Sequence, residues 1–192
     1  NSGLPGRRIW SIAIDEIGTL WFGTSLGDFD ETGGLAAFDG TDWTSYTTFN
    51  SELPDNSINT ISIDENDNKW IGTYEGLTKF DGINWTTYNT GNSGLPNNFV
   101  GQIFIDITGE MWIGTKGLVK FDGINWQTYN TSNSGLAGTR IDFIVIEDAE
   151  IIWMGTNGGV TVFDGTDWLI YNTLNSRLPD DWATSMAIEG NG

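Results

Sequence analysis

The chain has 192 residues, 26 acidic side chains against 8 basic ones, and a net charge of −18. It has no histidine and no cysteine, which excludes disulfides, thiolate nucleophiles, Cys-ligated zinc, an imidazole base and a Ser-His-Asp triad. The acidic balance argues against nucleic acid and anionic membranes as partners, and no apolar run reaches the roughly 20 residues of a membrane span.

Self-similarity organises the rest of the sequence. N-S-x-L-P recurs at Asn1–Pro5, Asn50–Pro54, Asn92–Pro96, Asn133–Ala137 (with Ala for Pro) and Asn175–Pro179, at intervals of 49, 42, 41 and 42 residues. W-[IFM]-G-T begins at Trp21, Trp70, Trp112 and Trp153, and F-D-G at Phe38, Phe80, Phe121 and Phe163. A second tryptophan follows at Trp43, Trp85, Trp126 and Trp168, and a tyrosine three residues later at Tyr46, Tyr88, Tyr129 and Tyr171. The longer first interval carries seven extra residues near Leu26–Gly33, read as a decorated turn or a ligand loop.

Each unit is predicted to form four short strands, A to D. In strand A, Ile12/Ile14, Ile61/Ile63, Ile103/Ile105, Ile144/Ile146 and Met186/Ile188 share one face. The residues between them are mostly small or apolar, so strand A is expected to be buried on both faces. Strand B is the W-x-G-T stretch, whose glycine implies a large side chain packed close over it. Strand C ends in the Phe of F-D-G, and Asp-Gly is expected to form a tight hairpin turn with both central residues at positive φ. Strand D carries the second tryptophan and the tyrosine, and helical periodicity is absent throughout.

Four antiparallel strands per roughly 42 residues define an all-β fold, a β-propeller built from four-stranded antiparallel blades. The repeats span 7–49, 57–90, 98–131 and 139–173, with one extra innermost strand within 182–190, so 1–192 is expected to be a single, partial propeller domain. Four blades and one strand do not complete a ring. A fragment of a longer propeller is expected, closed by neighbouring blades, domains or subunits, because open blade faces invite association.

The A–B and C–D turns, at one end of the blades, hold 17 of the 26 acids. Asp in turns caps backbone N–H groups, which accounts for most of them. The rival reading is calcium, with Asp64-Glu65-Asn66-Asp67-Asn68 the best candidate, but it lacks the Gly and distal Glu of an EF-hand loop. No metal or other cofactor is expected. The opposite end holds Arg7, Arg8, Lys116, Arg140 and Arg177. Two positions at the start of strand A vary sharply there: Arg8, Ser57, Phe99, Arg140, Trp182, and then Trp10, Asn59, Gly101, Asp142, Thr184. Function concentrates where a repeat is broken. The candidate ligand-binding residues are therefore Arg8, Trp10, Phe99, Arg140, Asp142 and Trp182. Guanidinium beside exposed rings suits an anionic sugar; the structural alternative is that Trp10 and Trp182 fill the channel or pack under loops. Catalysis would have to use carboxylates, for example Asp142 with Glu75 or Asp28, and no spacing selects such a pair, so no enzymatic activity is expected.

I-D-E-I-G-T-L-W-F-G-T at Ile14–Thr24, I-D-E-N-D-N-K-W-I-G-T at Ile63–Thr73 and I-D-I-T-G-E-M-W-I-G-T at Ile105–Thr115 resemble the two-component regulator propeller repeat. The resemblance implies an extracytoplasmic propeller, periplasmic or at the cell surface, of the kind found in bacterial hybrid two-component sensors and other surface proteins. It implies a ligand-binding or sensing role with a glycan or oligosaccharide as ligand. The alternative is a structural or adhesive repeat segment of a large secreted or surface protein.

Overall fold

A computed structural model describes residues 3–25, 33–147 and 151–188. Among the described residues sixteen strands form four four-stranded sheets, each an antiparallel meander. The first blade is β1 (Arg8–Ile14), β2 (Leu20–Ser25), β3 (Gly34–Phe38) and β4 (Trp43–Tyr46). The second is β5 (Ile58–Ile63), β6 (Lys69–Thr73), β7 (Leu77–Phe80) and β8 (Trp85–Tyr88). The third is β9 (Gln102–Ile105), β10 (Met111–Thr115), β11 (Gly117–Phe121) and β12 (Trp126–Tyr129), and the fourth is β13 (Ile141–Glu147), β14 (Ile151–Thr156), β15 (Gly159–Phe163) and β16 (Trp168–Tyr171). The fold is all-β and blade-built, as the repeat implies. The chain divides into two compact units, Asn1–Ile103 and Phe104–Gly192.

Blades pack face to face through a recurring aromatic joint. In the first unit Trp21 stacks on Tyr46 at 6.1 Å between ring centroids. The pair receives Phe80, which lies 6.0 Å from Trp21 and 5.4 Å from Tyr46, and Trp85, which lies 5.5 Å from Tyr46. In the second unit Trp112 stacks on Tyr129 and the pair receives Phe163 and Trp168 in the same way. Leu35, Ile58, Ile61 and Ile71 complete the first core, and Leu118, Ile141, Ile144 and Met154 the second. The strand-B glycines make this approach feasible: a Cβ on Gly72 would stand 2.6 Å from Thr60 Cγ2 and 2.7 Å from Val100 Cγ1.

The polar repeat residues are turn and loop fasteners. Asn50 Oδ1 accepts from Thr47 N while its Nδ2 donates to Ser45 O, and Asn92, Asn133 and Asn175 repeat the pattern. Leu53, Leu95 and Leu136 of the same motif are buried. The A–B turn carboxylates reach six residues forward to the strand-B indole N–H, Asp15 to Trp21, Asp64 to Trp70 and Glu147 to Trp153, at 2.8–2.9 Å. Trp112 Nε1 is buried and has no partner among the described residues, although Asp106 stands at the matching position.

Three expectations need correction. The F-D-G connection is a four-residue loop between paired Phe38 and Trp43, closed by Asp39 N donating to Asp42 O. Only its glycine has positive φ, +97° at Gly40, because Asp39 Oδ1 caps Thr41 N and Asp42 N and removes the need for a second. Strand A is not buried on both faces in the first blade: Ile12 is 57% exposed where its equivalent Ile61 is 6% exposed, since among the described residues of the first unit β1 packs on β5 and β2 alone. Residues 182–188 follow the strand-A pattern but form no strand, although Ala183 N donates to Thr156 O of β14 at 3.2 Å. The insertion, apart from Gly33, lies outside the described residues.

Candidate functional site

The start of strand A is where the repeat is irregular in structure as well as in sequence. Pairing of β13 with β14 shifts register between Ile141 and Phe143, leaving Asp142 at a bulge. The same shift places Trp10 and Asn59 at bulges in β1 and β5. A bulged residue is released from the ladder and its side chain is re-aimed, which is why bulges gather at functional rims. The second of the two varying positions is thus the bulge position in β1, β5 and β13.

In the second unit this geometry assembles three of the candidate residues. Arg140 Nε donates to Asp142 Oδ1 at 2.8 Å, and Trp182 Nε1 donates to Asp142 Oδ2 at 2.6 Å. The Arg140 guanidinium lies 5.0 Å from the centroid of the Trp182 ring, a cation–π contact. Both Asp142 oxygens are therefore occupied by the two groups it aligns, and its side chain is only 13% exposed against 60% for Arg140. Trp182 is 52% exposed, and the terminal nitrogens of Arg140 have no partner among the described residues. The backbone beneath is held by Asn157, whose Oδ1 accepts from Arg140 N at 3.1 Å and whose N–H donates to Arg140 O at 3.3 Å. Trp182 N donates to Asp180 Oδ1 at 2.7 Å.

The other three candidates lie in the first unit. Trp10 is exposed, with its indole N–H bonded to Ser25 Oγ. Arg8 is exposed at the start of β1. Phe99 is half-buried and packs on Tyr74 at 5.3 Å. The sequence reading missed the partners Ser25, Tyr74 and Asn157, and the signal was available. They follow W-x-G-T directly, with Lys116 in the remaining unit, and vary as sharply as the start of strand A.

At the opposite end of the blades several acids, among them Asp15, Asp39, Asp64, Asp122 and Glu147, are engaged by hydrogen bonds within their own turns and blades. Burial pushes the Asp64 carboxyl up, but hydrogen bonds from Asn68, Trp70 and Asn66 outweigh it and hold the group below the usual carboxylate range. Asp122 is held at about 2 by the Asn125 backbone N–H, the Asn125 side chain and the Ile124 N–H. Among the described residues no group of three or more His, Cys, Asp or Glu could hold a metal, and no helix is long and apolar enough to cross a membrane.

Four-stranded antiparallel blades, three of them with a bulged first strand, are the build of a β-propeller. The model of the two component regulator propeller family matches residues 3–25 and 94–117, so these two segments are similar to that repeat. A comparison with curated proteins returned no match. Among solved structures, the chain is similar to the extracellular domain of the hybrid two component system BT3049 from B. thetaiotaomicron, with a TM-score of 0.74, 23% identity, and coverage of 86% of this chain and 23% of that one. It is similar to the extracellular domain of BT4673 from the same organism, with a TM-score of 0.70, 22% identity, and coverage of 92% and 24%. It is also similar to virginiamycin B lyase from Staphylococcus aureus, with a TM-score of 0.66, 13% identity, and coverage of 93% and 58%. The chain spans under a quarter of the length of the first two. At these identities the likeness establishes the fold, which serves both sensors and an enzyme.

Proposed function

We propose that the chain is a non-catalytic recognition module of an extracytoplasmic propeller, and that its second unit binds an anionic oligosaccharide at Arg140 and Trp182. The observation that carries the reading is the Arg140–Asp142–Trp182 cluster. Asp142 fixes the guanidinium and the indole relative to each other before any ligand arrives, which lowers the ordering cost of binding. The two terminal nitrogens of Arg140 form a fork suited to a carboxylate or sulfate, and the exposed indole offers an apolar surface to the sugar ring. The family match and the extracellular placement of the similar sensor domains support both the location and the role. The chain has no histidine or cysteine, and Asp142 is fully engaged, so the site offers no evident acid–base pair. Calorimetric titration across uronic-acid and neutral oligosaccharides tests the reading. Binding restricted to the charged members supports it, and preference for neutral sugars contradicts it.

A structural or adhesive repeat is the second reading. It is favoured by the open apolar face of the first blade, where Ile9, Ile12 and Ile14 are exposed.

A further inference from the structure

At the rim of the second unit Arg140 has another neighbour besides Asp142 and Trp182. Lys116, in the link between β10 and β11, pairs with Arg140 in an isolated antiparallel bridge. Gly117 N donates to Thr139 O at 2.8 Å beside this pair, while Arg140 N and O are both bonded to Asn157. Lys116 and Arg140 are therefore a non-hydrogen-bonded pair, the kind whose Cα atoms stand about 4.5 Å apart and whose side chains lie closest. Residues directly opposite each other project to the same side of the ladder. The equivalent pair in the first unit is Tyr74 and Phe99, and there the two rings meet at 5.3 Å between centroids.

Two cations thus share a position that holds two rings in the first unit. Like charges directly opposite each other are destabilising, yet a chain with 26 acids and 8 bases sets two of the bases side by side. A local rule broken without a local gain marks a functional position. Asp142 answers only one of the two charges, accepting from Arg140 Nε at 2.8 Å and from Trp182 Nε1 at 2.6 Å. Lys116 is exposed, and its ammonium has no hydrogen bond or ion pair among the described residues. Lys116, Arg140 and Asp142 together carry one positive charge in excess. The donors left over are the two terminal nitrogens of Arg140 and the ammonium of Lys116.

We propose that Lys116 is the second cation of the Arg140 site, and that the charged group the pair takes is a sulfate ester on the sugar. The proposal rests on the ligand reading above and narrows it. The Arg140 fork takes two oxygens of an anion. A carboxylate has no third oxygen to offer and leaves Lys116 without a direct partner. A sulfate ester has three terminal oxygens, so the third accepts from Lys116 Nζ. Its single negative charge matches the single excess positive charge of the three side chains. A phosphate monoester offers the same three oxygens but carries about −1.5 to −2 at pH 7. That over-neutralises the site in a chain whose net charge is −18. Trp182, with its ring 5.0 Å from the guanidinium, remains the surface for the sugar ring, so charge and ring are held by different side chains.

Titration calorimetry of the chain tests this with sulfated, phosphorylated and unmodified galacto-oligosaccharides beside an oligogalacturonate of the same length. The sulfated sugar is expected to bind at least about tenfold more tightly than the oligogalacturonate, the gain of one charge-assisted hydrogen bond. Lys116→Ala and Lys116→Gln should remove that margin and leave oligogalacturonate binding within about twofold, the scale of an exposed charge with no direct contact. Lys116→Arg, which keeps the charge, should retain the margin. No preference for sulfate in the parent chain, equal losses for both ligands in Lys116→Ala and Lys116→Gln, or tighter binding of the phosphorylated sugar overturns the proposal. With Arg140→Ala still weakening binding, those results leave the ligand reading standing. Binding unchanged in Arg140→Ala, or no binding of any charged sugar, overturns both.

Discussion

Replacing Asp15 by alanine probes the fastener between the A–B turn and strand B. The Asp15 carboxylate is buried and accepts from Trp21 Nε1 at 2.9 Å and Thr19 N at 2.7 Å, with Lys69 Nζ at 3.4 Å. Burial raises its pKa, and the hydrogen bonds and Lys69 more than reverse this, so it is ionised at neutral pH. Its removal strands a buried indole N–H and weakens a buried cation. Losing one partner of a buried pair costs roughly 3–5 kcal/mol, and Lys69 retains Asp67 at 2.8 Å, which places Asp15→Ala near 3 kcal/mol. The equivalent Asp106→Ala is the internal control. Trp112 Nε1 already lacks a partner, and Asp106 caps only Thr108 and Glu110, so the expected loss is about 1 kcal/mol. Denaturant unfolding followed by tryptophan fluorescence should separate the two variants by about 2 kcal/mol at unchanged m. In a Trp21→Phe background, with the indole donor gone, the Asp15→Ala cost should shrink by about 1 kcal/mol. Equal losses for Asp15→Ala and Asp106→Ala, or no coupling to Trp21, would refute the fastener.

Three further outcomes follow from the packing and the turns. Gly72→Ala should destabilise the first unit by about 1–3 kcal/mol, since its Cβ would meet Thr60 Cγ2 at 2.6 Å and Val100 O at 2.9 Å; a neutral result in thermal unfolding contradicts the close approach. Leu53→Ala should cost about 2–5 kcal/mol, as for a buried leucine, and Leu178→Ala clearly less, because Leu178 is only half-buried and borders an open cleft. The Asp122 pKa is lowered on folding from 3.8 to about 2. Its contribution is therefore complete above the unfolded value and is lost as pH falls through about 2. Acid unfolding of Asp122→Asn should show a weaker pH dependence below about pH 4 than the parent; an unchanged profile counts against the turn hydrogen bonds as the cause.

The repeat made the blades legible because every recurring residue answers a local demand. Tryptophan and tyrosine build the joint, glycine admits the neighbouring side chain, and Asp and Asn close turns. Exposure of β1 was not legible, because alternation in Ile12 and Ile14 records what the face is suited to bury and not what lies against it. The C–D turn was misread for a related reason: Asp-Gly suggests a two-residue turn, but the Asp39 side chain does work that a second positive-φ residue would otherwise do. At the site, variation between repeats picked out Arg140, Asp142 and Trp182, and the bulge at Asp142 gives that variation a structural cause. Variation alone did not separate this cluster from Arg8, Trp10 and Phe99, since bringing an arginine, an acid and an indole together requires the fold.

The central claim is that Arg140 and Trp182, aligned by Asp142, bind an anionic sugar. Titration calorimetry of the chain with an oligogalacturonate, beside Arg140→Ala and Trp182→Ala, tests it most directly. The account predicts measurable binding that weakens at least about tenfold in each variant, about 1.4 kcal/mol, with the fold intact by circular dichroism. Binding left unchanged in both variants would contradict it.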